Sequence, residues 1–217
     1  MNMKCRPYFL LTAMLLYASV LYAQSDHRKR SILSVHTGLA RYTGKLTGVA
    51  GHSSDLRNGI GWAGSYTYLV GNDPSVKVGF GMLYQGARYT GDTPHSTDRI
   101  QTHYVAPQFS MHWLKQSFGL YVTAGTGYQF YKDHSTVYDK PRKVSMNKWA
   151  ANFGMGGEYR PFAHWGISAR INYILAYSGE YSVRYHDREW LVWPHYPLKG
   201  SNDISQLSFS AGINYHF

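Results

Sequence analysis

The 217-residue sequence predicts an all-β chain, an eight-stranded antiparallel up-and-down β-barrel that crosses a membrane, behind a cleaved N-terminal segment. Three observations predict it. Apolar and polar residues alternate at period two in one segment after another. The connections between those segments alternate between short and long. The composition, with 20 Tyr, 6 Trp and 22 Gly, suits exposed strands better than a helical core.

The first 23 residues, MNMKCRPYFLLTAMLLYASVLYA, place Lys4 and Arg6 before a largely apolar run from Tyr8 to Leu21 and end at Ala23. That is the layout of a secretory signal peptide, and the run is short for a stop-transfer helix. The expected organisation is a signal peptide at 1–23 and one barrel domain at 24–217. Cleavage removes Cys5, the only cysteine, so the mature chain is expected to have neither a disulfide framework nor a thiol nucleophile. The formal charge of +10 falls to +8 with Lys4 and Arg6 gone. Apart from HRKR at His27 to Arg30 the charge is dispersed, which on an exported chain points to anionic headgroups and surface glycans rather than nucleic acid.

After this segment no apolar run approaches 18 residues, so no helix is expected to span a membrane. The first strand lies near Ile32 to Tyr42, with Leu33, Val35 and Leu39 on one face. In the second, Ile60, Trp62, Tyr66 and Tyr68 alternate with Gly61, Ala63, Ser65 and Thr67. The turn from Gly71 to Pro74 leads into Val76, Val78, Phe80, Met82 and Tyr84, which alternate with Lys77, Gly79, Gly81, Leu83 and Gln85. Val105, Phe109, Met111 and Trp113 share a face of the fourth strand, and Leu120, Val122, Ala124, Tyr128 and Phe130 a face of the fifth. Trp149, Phe153, Met155 and Tyr159 mark the sixth, Trp165, Ile167, Ile171 and Tyr173 the seventh. The eighth carries Leu207, Phe209, Ala211, Ile213, Tyr215 and Phe217 against Ser208, Ser210, Gly212, Asn214 and His216.

Short turns at 71–74, 114–117 and 160–164 separate long polar stretches near 43–58, 90–98, 133–146 and 178–203. Strands of about ten residues fit the tilted span of an apolar band. The polar face is rich in Gly, Ala, Ser and Thr, small enough for the inside of a narrow barrel, so the large apolar residues face outward. Rings gather at both ends of that outer stripe: Trp113, Tyr159 and Trp165 near the short turns, and Tyr128, Phe130, Trp149 and Tyr177 near the long loops. This is the placement of two interfacial aromatic girdles. Lys77, Lys148, Glu158 and Arg170 then point inward, where a charge needs a partner or water, and Arg170 with Glu158 is one candidate ion pair.

On these residues the chain resembles the small eight-stranded outer-membrane barrels of Gram-negative bacteria, the OmpA-domain and OmpX type, from about Ser31 to Phe217. Ser210, Gly212, Tyr215 and the terminal Phe217 resemble the family's C-terminal assembly signal, and the resemblance implies that the barrel-assembly machinery reads them. The YAQ ending of the signal peptide resembles the Bacteroidetes type. The resemblance further implies an integral outer-membrane monomer, surrounded by outer-membrane lipid and lipopolysaccharide, with long loops facing outward.

Chemistry is sought in the loops. GHSSD places His52, Ser53, Ser54 and Asp55 together, the residue types of an activated hydroxyl and its base, but sequence neighbours in a loop need not face one another. None of the 11 His shows metal-ligand spacing, and no cofactor is expected. The last long stretch, with Arg184, Arg188, Trp190 and Trp193, predicts a protruding hairpin rich in residues that anchor protein interfaces. The expected function is thus a non-enzymatic structural or surface-interaction role, with a lipid A-modifying acyl hydrolase or transferase, or an accessory subunit of a secretion or assembly complex, as alternatives.

Overall fold

The computed structural model describes residues 30–43, 58–73, 75–93, 96–115, 117–137, 139–178, 181–185, 188–192 and 202–217. The expected signal peptide at 1–23 lies outside them. Among the described residues eleven strands are formed: β1 (Ser31–Tyr42), β2 (Asn58–Val70), β3 (Val76–Thr93), β4 (Ser96–Lys115), β5 (Phe118–Val137), β6 (Lys140–Tyr159), β7 (Trp165–Ser178), β8 (Tyr181–Tyr185), β9 (Arg188–Val192), β10 (Asn202–Asp203) and β11 (Gln206–His216). Each of β1 to β6 pairs antiparallel with the next, and β11 pairs with both β7 and β1, which closes the sheet. The barrel is therefore eight-stranded and has no edge at membrane level.

The pairing fixes the stagger. Following direct partners outward from Phe118 gives Tyr159, Ile167, Ile213, Val35, Gly64, Tyr84, Val105 and then Tyr128 on the starting strand, ten residues further along. Rows of neighbours thus climb the barrel obliquely, as strand tilt requires. Closure rests on the terminus: the Arg30 and Ser31 amides donate to the Phe217 carbonyl at 3.1 and 2.9 Å, and the Phe217 amide donates to the Ser31 carbonyl at 3.0 Å.

Side-chain orientation follows the expected faces. Val35, Phe80, Phe109, Leu120, Phe153, Ile167 and Ile213 are exposed, whereas Ser34, Gln85, Ser110, Asn152, Ser168 and Asn214 are buried. Two expectations are corrected. The stretches 90–98 and 133–146 are not long loops, because β3 runs to Thr93 and β4 starts at Ser96, while β5 runs to Val137 and β6 starts at Lys140. Nor are all strands about ten residues long, since β3 spans 18 and β4, β5 and β6 span 20 each. The barrel consequently carries a tall wall on the loop side. β8 continues it, pairing its Ser182–Tyr185 segment with 142–145 of β6, and β9 folds back on β8.

Candidate functional site: a filled lumen beneath a loop-side wall

At membrane level a set of inward polar side chains bond one another across the lumen, while His36 Nδ1, Gln108 Nε2 and Arg170 Nε have no hydrogen-bond partner among the described residues. Tyr104 Oη donates to Asn152 Oδ1 at 3.0 Å, Asn152 Nδ2 to Asn172 Oδ1 at 3.3 Å, and Asn172 Nδ2 to Gln85 Oε1 at 2.8 Å. Gln85 Nε2 donates to Ser208 Oγ at 3.1 Å, so the chain of bonds crosses the lumen from β4 to β11. Tyr89 and Thr102 hydroxyls both donate to Gln206 Oε1, at 3.0 and 2.9 Å, just above it. Leu83, Tyr89, Tyr104 and Ile174 are fully buried in the same space. Nearer the turns a cavity of about 20 Å³ is lined by His36, Gln108, Thr123 and Arg170, room for about one water molecule. Bonded amides and packed rings thus fill the lumen at this level.

The expected interior charges are distributed differently from the sequence reading. Glu158 and Arg170 are buried, but Glu158 takes His216 as its partner, with Nε2 2.6 Å from Oε1. Arg170 instead donates from Nη2 to Asn172 Oδ1 at 3.2 Å and Thr123 Oγ1 at 3.4 Å. The pairing of Arg170 with Glu158 is therefore not formed; His216, on the strand next but one in the barrel, reaches the carboxylate first. Lys77 and Lys148 are only half-buried, Lys77 near the start of β3 and Lys148 within β6. His36, His112 and His216 are buried lumen residues.

The ring residues stand outward at two levels. Phe118 and Tyr159 pack with ring centroids 4.9 Å apart and Trp165 and Tyr215 at 4.8 Å on the turn side, where Trp113 is also exposed. Tyr128 meets Phe130 at 5.0 Å and Trp149 at 6.0 Å on the loop side, and Tyr177 is exposed nearby. At the terminus Tyr215 stacks on Phe217 at 5.8 Å. Gly212 sits where an added Cβ would lie 2.1 Å from the Val35 carbonyl oxygen, so that position needs glycine for β11 to pair with β1. Ser210 Oγ reaches the Arg170 carbonyl at 3.5 Å.

Above the loop-side rings the wall holds a charged cluster that sequence reasoning missed. Arg142 on β6 donates from Nη2 to Asp98 Oδ1 on β4 at 3.2 Å and Asp133 Oδ2 on β5 at 3.4 Å, and from Nε to Ser135 Oγ at 2.7 Å. Both carboxylates are 1% exposed, and Asp98 Oδ2 and Asp133 Oδ1 have no hydrogen-bond partner among the described residues. Burial raises Asp133 to about 7, assisted by the Asp98 charge and opposed by Arg142. Around the cluster Tyr131, Ile100, Val144 and Met146 form an apolar core. The missed signal was spacing: alternate residues 131, 133 and 135 lie on one face, and so do 142, 144 and 146.

Of the proposed partner-binding residues, Arg184 is exposed and bonded to Glu189, from Nε at 3.1 Å and again from Nη2. That pair holds the Glu189 carboxyl below the usual carboxylate range. Arg188 is exposed, and Trp190 pairs with Val183 across the hairpin. Trp193 lies outside the described residues, as do His52, Ser53 and Ser54. Among the described residues no three His, Asp or Glu gather as a metal-ligand set.

A closed antiparallel barrel with an apolar exterior, a hydrogen-bonded interior and rings exposed at two levels has the construction of an outer-membrane protein. The family model described as "Outer membrane protein beta-barrel domain" matches residues 9–217. The chain belongs to that outer-membrane β-barrel family. Among solved structures, the chain is similar to a major outer membrane protein from Thermus thermophilus, with a TM-score of 0.58 at 13% identity, over 86% of this chain and 99% of that one. It is similar also to Neisserial surface protein A, with a TM-score of 0.53 at 12% identity, over 86% and 97%. The outer membrane protease OmpT from Escherichia coli gives 0.52 at 10% identity, over 87% and 95%. At such identities the shared property is the fold. No protein of curated function matches the chain in sequence.

Proposed function

We propose that this outer-membrane barrel works as a non-enzymatic surface-interaction protein, and that its loop-side wall with the β8–β9 hairpin meets a protein partner outside the cell. The observation that carries this reading is the bonded row from Tyr104 through Asn152, Asn172 and Gln85 to Ser208, which fills the lumen where a transport pathway would run. A barrel that does not conduct has its outer surface left to work with, and this one extends β3 to β6 well beyond the length a bilayer needs. The hairpin adds exposed Arg184 and Arg188, and guanidinium groups are frequent anchors at protein interfaces. Among the described residues β9 pairs only with β8, so its other edge presents backbone groups to which a partner strand could add.

A photo-crosslinking amino acid at position 188 on intact cells tests this. Adducts to a protein, lost when residues 181–192 are replaced by a tight turn, are the expected result. Adducts to lipid alone would overturn it, and so would an altered lipid A mass profile in cells lacking the protein, which would indicate the acyl hydrolase or transferase reading.

A further inference from the structure

The lipid-facing surface is not uniform. Directly opposed across β5, β6, β7, β11 and β1 lie Leu120, Gly157, Ala169, Ala211 and Thr37. Two residues to one side of this row stand Phe118, Tyr159, Ile167 and Ile213; two residues to the other stand Val122, Met155, Ile171 and Phe209, each set again direct cross-strand neighbours. Gly157, Ala169 and Ala211 thus form the floor of a trench between two ridges of large apolar side chains. Recesses of about 960 and 490 Å³ lie along it, and both are lined by Trp113, Leu120, Gly157 and Ala169.

Backbone geometry does not force this shape. A Cβ added at Gly157 would meet Leu120 Cδ2 at 3.5 Å and the Gly119 oxygen at 3.9 Å, ordinary contacts, whereas one at neighbouring Gly156 would lie 2.4 Å from the Tyr121 ring. Gly157 is free to carry a side chain and leaves the space open.

We propose that the trench binds one acyl chain of an anionic glycerophospholipid, with the lipid's phosphate at Lys115. The row climbs obliquely from the turn-side rim, and its four strand spacings of about 4.8 Å make roughly 19 Å along the incline. A chain filling one leaflet, about half of the ~30 Å hydrocarbon core, needs a groove of that reach. Lys115 is exposed at the turn-side mouth beside Phe118 and lines the larger recess, placing a cation where the headgroup would sit. The carboxylate at that recess, Glu158, is turned inward and bonded to His216, so it does not oppose the phosphate. A narrow inclined channel suits a single flexible chain, while a second barrel would present another curved ridge to it.

The full-length protein released from nanodiscs of mixed phosphatidylethanolamine and phosphatidylglycerol, and weighed intact by native mass spectrometry, gives the test. Wild type should retain one phosphatidylglycerol. Ala169→Leu with Ala211→Leu should lower that retention about tenfold, the effect of losing roughly two buried methylene contacts, while the heat-dependent mobility shift in SDS still reports a folded barrel. Should that pair fail to fold, Gly157→Leu, where a Cβ meets only ordinary contacts, is the alternative filling. Lys115→Gln should leave a lipid bound but abolish the preference for phosphatidylglycerol. Unchanged retention in the filled variant, no retained lipid on wild type, a headgroup ratio indifferent to Lys115, or a lipid-free dimer would each overturn the proposal.

Discussion

The membrane-level lumen and the loop-side wall are built from the same strands, yet their alternation means opposite things. On β4, the lower inward residues Gln108, Ser110 and His112 are polar and their outward neighbours Phe109, Met111 and Trp113 apolar. Higher on that strand the inward residues include Ile100, and the outward ones are Arg99, Gln101 and His103. The solvent outside changes from hydrocarbon to water between the two levels. Below, the exterior must be apolar and the interior can be a hydrogen-bonded network. Above, the sheet has to make its own hydrophobic core, as any water-soluble sheet does. The price is the Arg142 cluster, two carboxylates and a guanidinium held inside that core.

The largest expected effect breaks the wall and spares the lumen. Arg142→Met strands Asp98 and Asp133 without their shared cation, and removing one side of a buried ion cluster costs about 3–5 kcal/mol. Urea unfolding in detergent at pH 8 should show that loss; at pH 5, where Asp133 binds a proton, the loss should be smaller.

A second substitution separates the two regions by pH. The Asp133 carboxyl sits near 3.9 in an unfolded chain and at about 7 when folded. The folded state therefore holds the proton more tightly, so this contribution to stability is full below the unfolded value and is lost as pH rises to about 7. Wild type should lose about 1–3 kcal/mol between pH 5 and pH 8 on this account, and Asp133→Asn should flatten the profile over that window. A wild-type stability that rises across the window would mean that the carboxyl is not held protonated.

The smallest effect belongs to the lumen. Tyr104→Phe removes the donor to Asn152 Oδ1 in the bonded row, which should cost about 1 kcal/mol. The same loss should appear at pH 5 and pH 8, because Tyr104, Asn152, Asn172 and Gln85 are uncharged, and a pH-dependent loss would tie the lumen to the wall's titration.

Much of the barrel was legible in the sequence, because a period of two between hydrocarbon and interior leaves a clean record. Strand faces and the three short turns can be read from it directly. The wall could not. Where the outside becomes water, Arg88, Thr90, Lys132, His134 and Lys143 occupy the outward positions, and a polar stretch reads as a loop although its alternate residues Tyr89, Tyr131, Val144 and Met146 are buried. The Arg142 cluster was hidden for the same reason, and because its members come from three strands. His216 as the partner of Glu158 was beyond sequence reasoning too, since it depends on the register that joins β6 to β7 and β7 to β11. Gly157, Ala169 and Ala211 read as ordinary small residues until that register lines them up.

A lumen filled by side chains leaves the working surface outside it. Purified protein reconstituted into a planar bilayer measures this directly through its conductance. Wild type should add no stable current steps to the bare bilayer across the usual range of voltage and salt. Reproducible ohmic steps from the folded, heat-modifiable protein would contradict the sealed lumen and indicate a transport role instead.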